Sequence, residues 1–351
     1  MTYVHTYAAL IGKLEAPPRR IGFWAKAAGV ACCMALVGGV AMLFKGGPVK
    51  GDVRGEMGFA LVGHNTGEAE AQCLAIESSM AAYNDAMAMQ GETAYINMGK
   101  AAQNELLNSG YKYVKGYKRA ATDDMDSVRW WVKDGACVIA FQGSDSLPDF
   151  VNNWDPAPVD KWNMTQVHRG LTVELEPLLT KMQPDFPEMN STCNTSVMVT
   201  GHSLGGGLAQ MFTMALNSNA NLRKAGCTAI SLYTCGAMPV SAVGTKNDQA
   251  ADGCFPGALF FNAENSTGTV RVDIVRAPQV GAPLLQPIKY IKKVLLFNYE
   301  APMVIPCGED IPASVALYPG FDLHDPRIYA TNIGCGYIDR LQIAAAGDTV
   351  M

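Results

Sequence analysis

The stretch that most constrains the fold of this chain is 195–210, which reads TSVMVTGHSLGGGLAQ. A β-rich apolar run, typical of a buried strand, stops at Gly201, and apolar residues then recur at helical spacing after Ser203. A serine between Gly201 and Gly205 fits a sharp strand-to-helix turn, because side chains two residues on either side would collide there. The alternative is a glycine-rich packing turn without chemistry.

Other apolar runs indicate the kind of sheet to which this turn belongs. The runs ACVIAF at 136–141 and TAISLY at 228–233 suit strands buried on both faces, and an amphipathic helical pattern lies within 66–90. Buried strands that alternate with helices are typical of a largely parallel sheet. We therefore predict an α/β fold with a central, mostly parallel sheet flanked by helices.

The N-terminal region contains an apolar segment long enough to cross a membrane. Residues 27–44 carry no charge and no proline, and the apolar residues at 21–24 extend the segment. Basic residues precede or begin it, which favours a cytoplasmic N-terminus: Lys13, Arg19, Arg20 and Lys26. We predict one N-terminal transmembrane signal anchor that precedes the α/β fold; a cleaved signal peptide and a buried core helix are the alternatives.

The predicted organisation follows from this segment and from composition. It comprises a short cytoplasmic N-terminus at 1–20, the membrane segment at 21–44, a linker rich in glycine and charge at 45–64, one globular domain at 65–335, and a tail at 336–351. With the N-terminus cytoplasmic, the globular domain is expected to be lumenal or extracellular, and secreted if the apolar segment is cleaved.

Cysteines and glycosylation sequons are consistent with an exported domain. Of the ten cysteines, eight follow the apolar segment, and an even number suits disulfides in an oxidising compartment. Four acceptor sequons also follow it, at Asn163, Asn190, Asn194 and Asn265. We therefore predict a disulfide-bonded glycoprotein of the secretory pathway.

Charge and motif content argue against other classes of partner. The net charge of −5 gives no basic excess to neutralise phosphates, so no nucleic acid is expected as a partner. The cysteines form no CxxC pair, which argues against a zinc site, and nothing in the sequence calls for a metal or an organic cofactor.

A nucleophilic serine requires a general base, usually histidine. In folds with this turn the histidine follows the serine in chain order, and His324 alone does so. The remaining histidines lie before the membrane segment, in the early linker region, ahead of the serine or inside the turn: His5, His64, His168 and His202. The N–H of Leu204, at the start of the following helix, is the predicted donor to a developing oxyanion.

Five segments, in order, resemble the class 3 (fungal-type) lipase family of the α/β-hydrolase superfamily. They are VIAFQGSDSLPDFVNNW at 138–154, VHRGL at 167–171, the turn VTGHSLGGGLAQ, YTCGAMPV at 233–240, and LHDPRIY at 323–329. The resemblance covers roughly 65–335 and implies that this region is a lipase-like catalytic domain.

The resemblance implies a role for individual residues. Ser203 would be the nucleophile between Gly201 and Gly205, His324 the base, and Ser144 a second oxyanion donor with Leu204. The implied activity is that of a serine carboxylic-ester hydrolase, a lipase acting on acylglycerols or phospholipids through an acyl-enzyme. Alternatives are an esterase for non-lipid esters and a non-catalytic protein that binds lipid or another partner.

The orienting acid of the implied triad is the point of ambiguity. VDIVRAP at 272–278 resembles the family's acid segment if a strand end is shortened, which makes Asp273 the acid. An ungapped match instead places Ala277 at the family's aspartate position. Asp273 is our prediction, and the alternatives are Glu309, Asp310 and Asp322.

Overall fold

The computed structural model describes the parts of the chain that carry the predicted sheet. These are residues 66–85, 93–119, 127–144, 157–219, 222, 230–241, 245–247, 250–266, 269–273, 289–297, 303–309, 318–320 and 324–335. The predicted cytoplasmic N-terminus, membrane segment, linker and tail at 1–20, 21–44, 45–64 and 336–351 lie outside these residues. Within the described ranges, no helix has both the length and the apolar character that a membrane span needs.

Six helices and twelve strands are assigned within the described residues. The helices are α1 (Thr66–Ala81), α2 (Thr93–Asn108), α3 (Arg169–Met182), α4 (Phe186–Thr192), α5 (Leu204–Ser218) and α6 (Pro326–Ile333). The strands are β1 (Lys112–Lys118), β2 (Ser127–Lys133), β3 (Ala136–Phe141), β4 (Pro158–Lys161), β5 (Met164–His168), β6 (Ser196–His202), β7 (Ile230–Cys235), β8 (Phe255–Ser266), β9 (Thr269–Asp273), β10 (Ile291–Phe297), β11 (Met303–Pro306) and β12 (Tyr318–Gly320).

The main sheet has the strand order β1-β2-β3-β6-β7-β8-β10-β11. Its centre is parallel, because β3, β6, β7, β8 and β10 all run in the same direction. The outer strands β1, β2 and β11 pair in the antiparallel sense with their neighbours. The prediction of an α/β fold with a mostly parallel sheet is confirmed.

Helices cover both faces of the sheet, as its continuous apolar strands require. Ile139 of β3 and Val199 of β6 point to one face, where they share a hydrophobic core with residues of α3, α4 and α5. Val138 and Met198, the alternate residues of the same strands, belong to a second core with residues of α1, α2 and α6. The strand after which Ser203 lies is therefore buried on both sides.

Strand β8 continues beyond the main sheet as an antiparallel ribbon with β9. Ala263 lies opposite Val272 in this ribbon, so at the end of β9 the chain has returned to the carboxyl end of the main-sheet part of β8. The short strand β12 pairs in parallel with β9, with Gly320 opposite Asp273. The backbone that bears Asp273 thus lies beside the segment that leads to His324.

Three disulfides connect distant parts of the described chain. They join Cys73 to Cys335, Cys137 to Cys193, and Cys254 to Cys307. The prediction of disulfide bonds is confirmed. The bond from Cys73 to Cys335 links α1 to the residue after Gly334, at the end of α6.

Candidate active site

Ser203 lies in a strained turn between β6 and α5. Its backbone has φ 60° and ψ −126°, a conformation that costs an L-residue about 1–3 kcal/mol. The turn is held from both sides, since the N–H of Ser203 donates to the carbonyl of Cys235 at 3.1 Å and the N–H of Met238 donates to the carbonyl of Ser203 at 3.3 Å. The predicted sharp strand-to-helix turn is therefore present, at the carboxyl end of a central parallel strand.

The glycines of the turn are required by the close approach of backbone segments. A Cβ atom at Gly201 would strike the Gly205 carbonyl and lie 2.7 Å from the Gly206 nitrogen. At Gly205 it would strike the Phe141 carbonyl and lie 2.6 Å from the Gln142 carbonyl oxygen. Both are backbone contacts, which cannot swing aside as a flexible side chain can.

The structure brings His324 to Ser203 from a distance of 121 residues along the chain. The His324 Nε2 atom lies 2.8 Å from the Ser203 Oγ atom, within hydrogen-bond distance. With Nε2 unprotonated, it accepts from the Ser203 hydroxyl, which is the arrangement that a nucleophile and its general base need. His324 directly precedes the N-cap of α6, Asp325, so the helix start fixes the position of its backbone.

The loop that carries Ser144 runs against the turn. A Cβ atom at Gly143 would strike the Tyr83 hydroxyl and lie 2.7 Å from the His202 carbonyl oxygen, so the loop backbone is in contact with the turn. Gln142 anchors the start of this loop, because its side-chain oxygen accepts from the Ser127 hydroxyl at 2.5 Å and its N–H donates to the Ser127 carbonyl at 2.9 Å. Ser144 therefore directly follows a residue that touches the turn.

The acid is the part of the site for which only backbone placement is described. Asp273 ends β9 beside Gly320, and Gly320 lies four residues before His324 in the chain. Ala277, Asp310 and Asp322 lie outside the described residues, and Glu309 is exposed. The assignment of Asp273 remains a prediction.

Asp325, which is adjacent to the base, has a different role. Its carboxylate accepts from the N–H of Arg327, at 2.9 Å, and from the Arg327 guanidinium, so it caps α6. Burial alone would raise the pKa of Asp325, but the hydrogen bonds from Arg327 outweigh it and lower the pKa below its ordinary value. The carboxylate is therefore ionised at neutral pH.

Two residues of the site, Tyr83 and His202, were not predicted from sequence. His202 is almost completely buried; its Nδ1 atom lies 3.0 Å from the Tyr83 hydroxyl and its Nε2 atom 2.8 Å from the His324 carbonyl oxygen. A histidine at the end of a strand expected to be buried was a usable signal, since a buried imidazole needs polar partners. The identity of those partners is visible only in three dimensions.

Comparison with known proteins finds a family similarity for part of the chain and a shared fold for most of it. The family model of class 3 lipases matches residues 138–247, from within β3 through the turn at Ser203 and beyond β7. No significant match was found among curated proteins.

Three solved structures share the fold, each with a TM-score of 0.51 and each aligned with 74% of this chain. One is a triacylglycerol lipase described as having a serine protease triad at its catalytic centre, with 18% identity over 94% of that chain. The others are a mutant form of a protein from Penicillium cyclopium, with 17% identity over 96% of its chain, and a fungal lipase with 19% identity over 95%. The chain is therefore similar to class 3 lipases over residues 138–247, and about three quarters of it shares the fold of these lipase structures.

Proposed function

We propose that this protein is a lipase, a serine carboxylic-ester hydrolase that acts on acylglycerols or phospholipids through the triad Ser203, His324 and Asp273. The observation that carries the proposal is the 2.8 Å contact between His324 Nε2 and Ser203 Oγ, made at a serine held in a strained turn. The class 3 lipase match over residues 138–247 supports the substrate class.

The proposed reaction is acyl transfer in two steps. Ser203 Oγ attacks the ester carbonyl carbon while its proton passes to His324 Nε2, and the carbonyl oxygen becomes an oxyanion that the Leu204 N–H and Ser144 stabilise. When the intermediate collapses, the carbon–oxygen ester bond breaks and His324 returns the proton to the leaving alcohol. Water, deprotonated by His324, then attacks the acyl carbon; the bond to Ser203 Oγ breaks, His324 returns the proton to Oγ, and the carboxylic acid leaves.

The proposal predicts a graded loss of activity in a series of variants. Wild-type protein should react with a fluorophosphonate and hydrolyse acylglycerol esters, whereas Ser203→Ala should do neither and His324→Ala should lose most of the hydrolysis. Asp273→Asn should lower kcat by about four orders of magnitude, because the imidazole loses its orientation and the stabilisation of its positive charge. The measurements are labelling rate and steady-state hydrolysis.

The matched controls for the acid are Glu309→Gln, Asp310→Asn and Asp322→Asn, which remove the other carboxylates considered. A larger loss in one of these than in Asp273→Asn would reassign the acid. Wild-type protein that neither labels nor hydrolyses any ester, in an assay where a known esterase does, would favour a non-catalytic protein that binds lipid. Turnover of water-soluble esters but not of acylglycerols would favour an esterase.

We also propose that the chain is a single-pass membrane protein of the secretory pathway, with the segment 21–44 as its anchor and the catalytic domain lumenal or extracellular. The three disulfides support this, since such bonds persist in oxidising compartments. Three sequon asparagines are exposed, as glycosylation requires: Asn163, Asn190 and Asn194.

The positions of two of these asparagines, Asn163 and Asn194, are compatible with activity. Asn194 lies just before β6, and the Asn163 side chain donates to the Ser218 carbonyl at 3.2 Å, at the end of α5. Both β6 and α5 meet at Ser203, and the 15 residues of α5 span about 22 Å. Glycans at Asn163 and Asn194 would therefore lie at the amino end of the central strands, whereas the nucleophile lies at their carboxyl end.

Expression of the full chain in eukaryotic cells tests this topology. We expect a glycosidase-sensitive mass that decreases by one glycan in each of Asn163→Gln, Asn190→Gln and Asn194→Gln. The control is Asn108→Gln, which changes an exposed asparagine outside any sequon and should leave the mass unchanged. A chain that carries no glycan in any of these variants would contradict a lumenal catalytic domain.

A further inference from the structure

A chain of hydrogen bonds connects the end of α1 to the backbone of the proposed base. Tyr83, in the turn that follows α1, lies 3.0 Å from His202 Nδ1, and His202 Nε2 lies 2.8 Å from the His324 carbonyl oxygen. A carbonyl oxygen only accepts, so His202 Nε2 carries the proton and donates it. In the neutral ring Nδ1 is then an acceptor, and the Tyr83 hydroxyl donates to it.

The His202 ring also packs against the ring of His324. The two ring centroids are 4.6 Å apart with an angle of 34° between the planes. His202 and Tyr83 are only 2% and 3% exposed, so water cannot easily reach them and take the place of either hydrogen bond. The base is thus held by a backbone hydrogen bond and by a ring contact from the same buried residue.

Consecutive residues therefore hold the two ends of His324. Ser203 contacts the His324 side chain at 2.8 Å, and its neighbour His202 contacts the His324 backbone at 2.8 Å. Because Ser203 and His202 are joined by one peptide unit, the two contacts together fix the distance between the nucleophile and the base. The Tyr83 hydroxyl also lies against Gly143, in the loop that carries Ser144.

We propose that His202, oriented by Tyr83, is a positioning residue that holds His324 in line with Ser203. The proposal rests on the proposed hydrolase function, since it concerns the same Ser203–His324 pair. His202 itself transfers no proton in the reaction; it acts through the backbone and ring position of the base. Misplacement of a reacting group by about 1 Å can lower a rate by roughly 100-fold, so loss of this contact should affect turnover more than substrate binding.

The test compares substitutions that restore one nitrogen position of the imidazole at a time. In His202→Gln the side-chain amide reaches the position of Nε2 and can donate to the His324 carbonyl; in His202→Asn it reaches only the position of Nδ1. We expect His202→Ala and His202→Asn to lower kcat per titrated active site by roughly 100-fold with KM within about twofold of wild type. His202→Gln should recover to within roughly tenfold of wild type.

Titration with a fluorophosphonate to its end point counts the competent sites and separates positioning from folding. The matched control is His168→Ala, which removes another fully buried histidine whose Nδ1 accepts from the Leu171 N–H at the start of α3. This control should lower the melting temperature and the number of titratable sites, but not kcat per site. If the His202 variants do not fold, Tyr83→Phe, which removes one oxygen atom, should still lower kcat about threefold to tenfold.

Two results would overturn the positioning role. One is a kcat per titrated site in His202→Ala, or in Tyr83→Phe where that variant alone folds, that equals the wild-type value. The other is equal recovery by His202→Gln and His202→Asn, which would show that the donor to the His324 carbonyl is unimportant. An inactive wild-type protein would instead count against the proposed hydrolase function, so the two failures are distinguishable.

Discussion

At the scale of single residues, Gly205 gives the sharpest steric prediction. A methyl group there would strike the Phe141 carbonyl and lie 2.6 Å from the Gln142 carbonyl oxygen, so backbone must shift in the substitution Gly205→Ala. We expect the free energy of unfolding to fall by about 1–3 kcal/mol. Turnover should fall as well, because the displaced segment leads to Ser144. Denaturant unfolding and steady-state kinetics measure the two effects.

The control for this prediction is Gly67→Ala in α1. A Cβ atom at Gly67 meets nothing within 4 Å, so the added methyl group should leave activity unchanged. Stability should stay the same or rise by up to about 1 kcal/mol, because alanine has the higher helix propensity. If Gly205→Ala and Gly67→Ala lowered the free energy of unfolding equally, the backbone contact of the added methyl group at Gly205 would not be the cause of the loss.

The residues of the site differ in how far the sequence alone reveals them. Ser203 and His324 could be predicted because the turn imposes glycines at fixed spacing and because the chain order of such sites limits the choice of histidine. The contacts of His202 could not, since its partners Tyr83 and His324 lie 119 and 122 residues away in sequence. No local pattern encodes a pairing over such distances.

At the scale of elements, the apolar runs located the central strands, whereas the ribbon of β8 and β9 was not predicted. The run at 136–141 is β3 and that at 228–233 overlaps β7, because a strand buried on both faces leaves an uninterrupted apolar signal. The ribbon lies between the main-sheet part of β8 and Asp273. Its antiparallel pairing depends on contacts between strands, so the sequence could not show where the ribbon begins or ends.

At the scale of the whole molecule, the disulfide between Cys73 and Cys335 joins the first described helix to the end of the last, over 262 residues. It connects α1, at whose end Tyr83 lies, to α6, which follows His324. We expect the double substitution Cys73→Ser and Cys335→Ser to lower the free energy of unfolding by about 2–5 kcal/mol. We also expect hydrolysis to be lost on heating before the sheet unfolds, because α6 and the base are released from α1 first.

The comparison is the double substitution Cys254→Ser and Cys307→Ser. That disulfide spans 53 residues and joins the segment just before β8 to the one just after β11, so its loss leaves the link between α1 and α6 intact. In this control, activity and circular dichroism should decline together on heating. For the first variant, activity should decline several degrees earlier. Coincident transitions in both variants would show that the covalent link holds the fold together but does not specifically retain the segment that carries His324.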